Sequence, residues 1–124
     1  MTPVIPAWQG ATLKLLVTCW VSAEEDAPFV DLSGSTAIFL MKNCLNDPDD
    51  AAVITKTHLD GISYPDAANG KALVTIPGDE LEVLDVNCKR NYYGQVSLRL
   101  SDTTIIMSPL FKICVYQGAI ADTP

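Results

Sequence analysis

Few residues in this chain have types that could do chemistry, and their spacing argues against most of it. There are four cysteines, at 19, 44, 88 and 114, and one histidine, His58. No two cysteines stand as Cys-x-x-Cys, and one imidazole does not complete a Cys/His set, so no zinc site is expected. An even cysteine count permits two disulfides in three pairings. However, Cys19 and Cys114 lie in apolar alternating runs, where a thiol packs as a small hydrophobe. Four reduced, mostly buried thiols are therefore expected. His58 has no Ser, Cys or Asp pairing motif beside it and reads as a surface residue, not a base. The run Asn46-Asp47-Pro48-Asp49-Asp50 offers the hard oxygens that calcium prefers, but it lacks the bend glycine and distal glutamate of an EF-hand. It reads as an acidic surface turn. With no paired carboxylates and one histidine there is no acid–base pair. The expectation is a non-enzymatic protein with no catalytic residue, no cofactor and no metal.

What remains is apolar and aromatic chemistry, which acts through burial. Trp8, Trp20, Tyr64, Tyr92 and Tyr93 would form a carbohydrate platform if clustered and exposed, although such residues are as often core. Pro3 and Pro6 bias their predecessors away from helix. They stiffen a segment that carries Val4, Ile5 and Trp8. Residues 1–9 are thus expected to be an extended arm that docks on another subunit, and Val4, Ile5, Trp8 and Trp20 are the interface candidates.

The elements that must carry these residues are strands. In Asp31-Leu32-Ser33-Gly34 the side chains of Asp31 and Ser33 can bond nearby backbone and Gly34 accepts positive φ. The chain then enters a strand with Ala37, Phe39 and Met41 on one face and Thr36, Ile38 and Leu40 on the other. Both faces are largely apolar, which predicts a central strand covered on both sides. Ala11–Val21 alternates with Leu13, Leu15, Val17, Cys19 and Val21 inward, and is expected to pair with or cross that strand. Ala51–His58 is a third strand. Asp60-Gly61 and Asn69-Gly70 mark turns around a short strand at Ile62–Tyr64. Lys71–Pro77 follows, with Ala72, Val74 and Ile76 inward. Arg90–Ser101 is the longest strand. Thr104–Met107 and Leu110–Tyr116 form a last strand interrupted at Pro109. Gly78–Val86, with Asp79 and Glu80 at its start, reads as one or two helical turns. Seven or eight short strands at regular spacing predict an all-β fold, an antiparallel β-sandwich of immunoglobulin-like size with at most one short helical turn. A small barrel is the other architecture this pattern allows. The Cys–Trp–Cys order of antibody domains is missing, because Trp20 directly follows Cys19.

At 124 residues one domain is expected: an arm over 1–9, a sandwich over 10–116 and a flexible C-terminal tail over 117–124. The net charge is −7, which argues against a nucleic-acid backbone or an anionic membrane as partner, since both need a basic face. No stretch approaches the ~18 apolar residues of a membrane span. The start lacks the basic n-region and apolar run of a signal peptide, so the protein is expected to be made and kept, or assembled, in a cytosol.

Asp31-Leu32-Ser33-Gly34-Ser35-Thr36-Ala37-x-Phe39 resembles the second-strand motif of small phage tail and baseplate proteins, similar to the N-terminal domain of baseplate upper proteins. Further elements match in order over about residues 10–116. These are a strand after Gly10, Asp60-Gly61-Ile62, Asn69-Gly70-Lys71-Ala72-x-Val74, Leu81–Leu84 and Tyr93-x-Gln95-Val96. Two features depart from the pattern: Cys88-Lys89-Arg90-Asn91 where a glycine is common, and the four cysteines. The resemblance implies a structural protein of the virion, assembled in the host cytoplasm. It would be present in multiple copies in a symmetric assembly, with other virion proteins as partners. A capsid decoration protein and a carbohydrate-binding sandwich for host recognition are the alternatives.

Overall fold

The alternation seen in the sequence becomes strand geometry, because a pleated backbone sends successive side chains to opposite faces. The computed structural model describes residues 4–19, 30–84, 86, 89–108 and 110–117. Its strands are β1 (Val4–Trp8), β2 (Leu13–Thr18), β3 (Thr36–Lys42), β4 (Ile54–His58), β5 (Gly61–Asp66), β6 (Lys71–Ile76), β7 (Lys89–Arg99), β8 (Ile105–Met107) and β9 (Phe111–Tyr116). One helix, α1 (Gly78–Glu82), and two single 3₁₀ turns, at Asp49–Ala51 and Ala67–Asn69, complete the described elements. In β6 the side chains of Ala72, Val74 and Ile76 are buried, while Lys71, Leu73 and Thr75 are half-exposed. In β7 the buried set is Tyr92, Gly94, Val96 and Leu98.

Hydrogen bonding traces the order β1-β9-β7-β3-β4-β5-β6-β2, with β8 added on β7. Most pairs are antiparallel, but β1 runs parallel to β9. The path doubles over where β4 passes into β5. These two strands run in the same direction and meet only at Thr57↔Gly61 and His58↔Ile62. A strand that changes sheet in this way makes the corner of a sandwich. On one side of the corner lie β2, β5 and β6, and on the other β4, β3, β7, β9 and β1. Leu15, Ile62, Val74 and Ile76 of the first layer share one buried cluster with Phe39, Met41, Val96, Leu98 and Ile113 of the second. The protein is thus an all-β sandwich of immunoglobulin-like size.

The turns follow the chemistry read from the sequence. The Ser33 N–H donates to Asp31 Oδ1 (2.9 Å), and Gly34 has φ +74°. Gly70, at φ +72°, closes the β5–β6 hairpin, where a Cβ would meet the carbonyl oxygens of Cys19 and Val30.

Several expectations need correction. β3 is central but, among the described residues, covered on one face only: Phe39 and Met41 are buried, whereas Ile38 is exposed. An apolar strand face predicts burial equally well against the protein's own core and against a partner. Of the two arrangements expected for β2 and β3, direct pairing is not the one found: β2 pairs with β6, in the layer opposite β3. Residues 4–8 are not an arm outside the core but edge strand β1, with Ala7 2% exposed. An edge strand bonds on one side only, so Pro6 does not stop it from pairing. The thiols are not uniformly buried: Cys114 is buried, Cys19 half-buried and Cys44 exposed in a turn. His58 is half-buried and stacks on Tyr64 (4.5 Å between centroids, 12° between planes). Trp20, Cys88, Pro109, residues 1–3 and residues 118–124 lie outside the described residues.

Candidate docking face

The outward face of the β1-β9-β7-β3 layer, with β8 beside it, gathers most of the residues with no evident role in the core. Register places them in rows across the strands. Trp8, Tyr116 and Lys89 form one row, and Lys112, Tyr93 and Lys42 another. Leu40 pairs with Gln95, Ile38 with Ser97 and then Met107, and Thr36 with Arg99 and then Ile105. Val4 (59% exposed), Trp8 (51%), Ile38, Ile105 (56%), Met107 (62%) and Leu110 remain exposed.

Between β3 and β7 this face is hollowed. A groove of about 380 Å³ is lined by Ile38, Leu40, Leu45, Tyr93, Met107 and Leu110, with the Lys42–Asp49 ion pair (2.7 Å) at its rim. A second hollow, of about 220 Å³, continues past Ile38 and Ser97 to Arg99 and Ile105. Gly94 of β7 lines the groove with its backbone, while its side-chain position faces inward with Tyr92 and Val96. There a Cβ would stand 2.7 Å from the Phe111 ring and 3.2 Å from Phe39. The Ser108 hydroxyl accepts the Val96 N–H (3.0 Å), while Gln95 Nε2 donates to the Ser108 carbonyl (2.9 Å). These bonds fix the start of the β8–β9 link, so the groove wall is built rather than incidental.

Of the four interface candidates, the structure brings Val4 and Trp8 to this face. Ile5 is turned partly into the core, and Trp20 lies outside the described residues. Trp8 stacks on Tyr116 (5.6 Å, 23°). The Tyr116 hydroxyl is pushed above its usual pKa by its hydrogen bond with Cys114. The open edge of β1 is blunted. The Gln9 N–H bonds the Tyr116 carbonyl (3.0 Å), so by the alternation of a parallel ladder the odd residues face β9 and position 6 faces outward. Proline there supplies no N–H to an incoming strand. The Trp8 carbonyl is already taken by the Ala11 N–H (3.1 Å). Docking through side chains on the face is therefore favoured over strand addition at this edge.

The groove residues Leu40, Leu45, Met107 and Leu110 were not singled out from the sequence. The available signal was the doubly apolar pattern of β3. The acidic turn has a local explanation: Lys42 Nζ bonds Asp49 Oδ1 and the Asp47 carbonyl (2.9 Å), and Asp47 Oδ2 accepts the Cys44 N–H (3.1 Å). Two aromatics of the carbohydrate reading are engaged elsewhere. Tyr92 is buried, and the Tyr64 hydroxyl accepts from Ser35 Oγ (3.0 Å).

No protein-family model matches the chain, and no curated protein does. Among solved structures, the periplasmic chaperone SfaE is similar over 99% of this chain and 58% of its own, with a TM-score of 0.51 and 12% identity. This chain therefore spans well under two thirds of that protein, and the likeness concerns the fold. Murine CRIg is similar over 95% of both chains, with a TM-score of 0.42 and 11% identity.

Proposed function

We propose that this chain is a non-enzymatic structural subunit of a larger assembly, a docking module whose outer sheet face seats a neighbouring protein. The observation that supports docking is the exposed groove along β3 and β7, an apolar surface left open on a sandwich whose inner faces close over a continuous core. We assign the assembly to a bacteriophage virion, in its tail, baseplate or fibre adaptor, on the resemblance of Asp31–Phe39 and the ordered motifs after it. The partners are then other virion proteins, met in multiple copies after synthesis in the host cytoplasm. Neither nucleic acid nor membrane is a partner on this reading.

Particle incorporation tests it. The chain should co-purify with intact virions of its phage at fixed stoichiometry through a density gradient. Ile38→Asp with Met107→Asp should fold but be lost from particles. Recovery of the wild-type chain only outside the particles would refute the virion assignment. Unimpaired incorporation of the double variant would refute the docking face.

A further inference from the structure

Resting on the reading of the outer face as a docking surface, we propose that its occupant is a second copy of this chain, seated through the α1 corner. The argument is charge. The strands of the β4-β3-β7-β9-β1 layer, with β8, contain no Asp or Glu, although the chain carries 15 acidic residues and a net charge of −7. The same strands hold six of its eight cations: Lys42, Lys56, Lys89, Arg90, Arg99 and Lys112. Lys56 points inward, and Lys42 is paired with Asp49. Lys89, Arg99 and Lys112 share the outward face with the groove. The strands of this face thus set three cations beside apolar surface in an acidic molecule, and Asp49 brings a carboxylate only at the Lys42 end of the groove, where the two are paired.

The complementary surface lies elsewhere on the same chain. At α1, Asp79 and Glu82 are exposed, and Val83 after them is 82% exposed, an apolar knob in an acidic collar. Gln9 Nε2 holds this corner by donating to the carbonyls of Leu81 (3.0 Å) and Leu84 (2.9 Å). Cations flanking an apolar groove match acids flanking an apolar knob, and opposed potentials of this kind fix register and raise the rate of encounter. Because knob and groove are different surfaces, the contact is heterologous: copies join head to tail, into a ring if the rotation closes or a filament if it does not.

Sedimentation of the full chain, with two variants, tests this. At low salt the weight-average mass should rise with concentration over roughly 10 μM to 1 mM. It should fall back toward the monomer at about 1 M salt. Arg99→Glu with Met107→Asp removes the face, and Asp79→Lys with Glu82→Lys removes the corner. All four side chains are exposed, and each variant should melt as wild type does. Each alone should be monomeric. Mixed, the intact corner of one should bind the intact face of the other and give a 1:1 dimer that grows no further, with twice the monomer mass. A wild-type chain that stays monomeric at every concentration overturns self-association, as does a mixture that stays monomeric. Either result leaves the docking face to be judged by particle incorporation.

Discussion

Lys56 Nζ lies 2.8 and 2.6 Å from the two carboxylate oxygens of Glu80, tying the inward face of β4 to α1 across 24 residues of sequence. The lysine side chain is 10% exposed and the glutamate 38%. Gly61, at φ +99°, leaves room for the lysine stem, which occupies the position a Cβ would take. Glu80→Gln strands a largely buried ammonium. It is expected to cost about 1–3 kcal/mol, less than a fully buried pair because Glu80 is partly in water. Lys56→Met keeps the stem and frees a carboxylate that can reach solvent, so its cost should stay under about 1 kcal/mol. Urea unfolding of both variants checks this asymmetry, and equal losses would contradict it.

The first nine residues should prove integral to the domain's stability. β1 buries Ala7 against the core, and Gln9 holds the last carbonyls of α1. Gln9→Ala is expected to lower stability by about 1–2 kcal/mol, because partly buried carbonyls lose their donors. Deleting residues 1–9 should lower Tm by well over about 5 °C. An unchanged melting curve for the deletion would show that β1 is a detachable arm after all.

Acid should loosen the Asp31 turn. The Ser33 backbone N–H, and its side chain after it, hold the Asp31 carboxyl below the usual aspartate value of 3.8. A depressed folded pKa contributes stability above the unfolded value, and that contribution is lost as pH falls through the folded one. The window therefore lies below about pH 4. Carboxyl NMR should find Asp31 titrating below 3.8, and Asp31→Asn should weaken the dependence of stability on pH there. Asp102, lowered by its bonds from Thr104, should titrate low as well. An Asp31 midpoint at or above 3.8 would contradict the turn geometry.

The thiols should differ in reactivity by position. Cys44 is exposed, Cys114 is buried and burial raises the Cys19 thiol pKa. The thiolate is the reactive form, so Cys44 should label quickly and Cys19 and Cys114 slowly in the native protein. Cys44→Ser should remove a fast phase from native thiol titration, and denaturant should expose the slow ones. A Cys44→Ser variant with unchanged native kinetics would be inconsistent with this placement.

Local pattern by itself determined the strands, the turns and the inward sets, because side-chain period and turn chemistry are properties of short segments. Ala72, Val74 and Ile76 are buried as their alternation requires, Gly34 and Gly70 take the positive φ their turns need, and α1 is a single short helix near its expected start. Tertiary structure decided which strand lies beside which. Nothing local to residues 4–8 says that they add parallel to Phe111–Tyr116, since the two segments meet from opposite ends of the chain. Nor does anything near Gln9 or Lys56 reveal their partners on α1. The groove was decided in the same way. Ile38 and Leu40 look in sequence like the core residue Phe39, and only the absence, among the described residues, of an element packed over β3 and β7 turns their apolar face outward. Charge sorting was equally hidden. The cations of β3, β7 and β9 are scattered from position 42 to 112 in an acidic chain, and strand pairing alone collects them on one face.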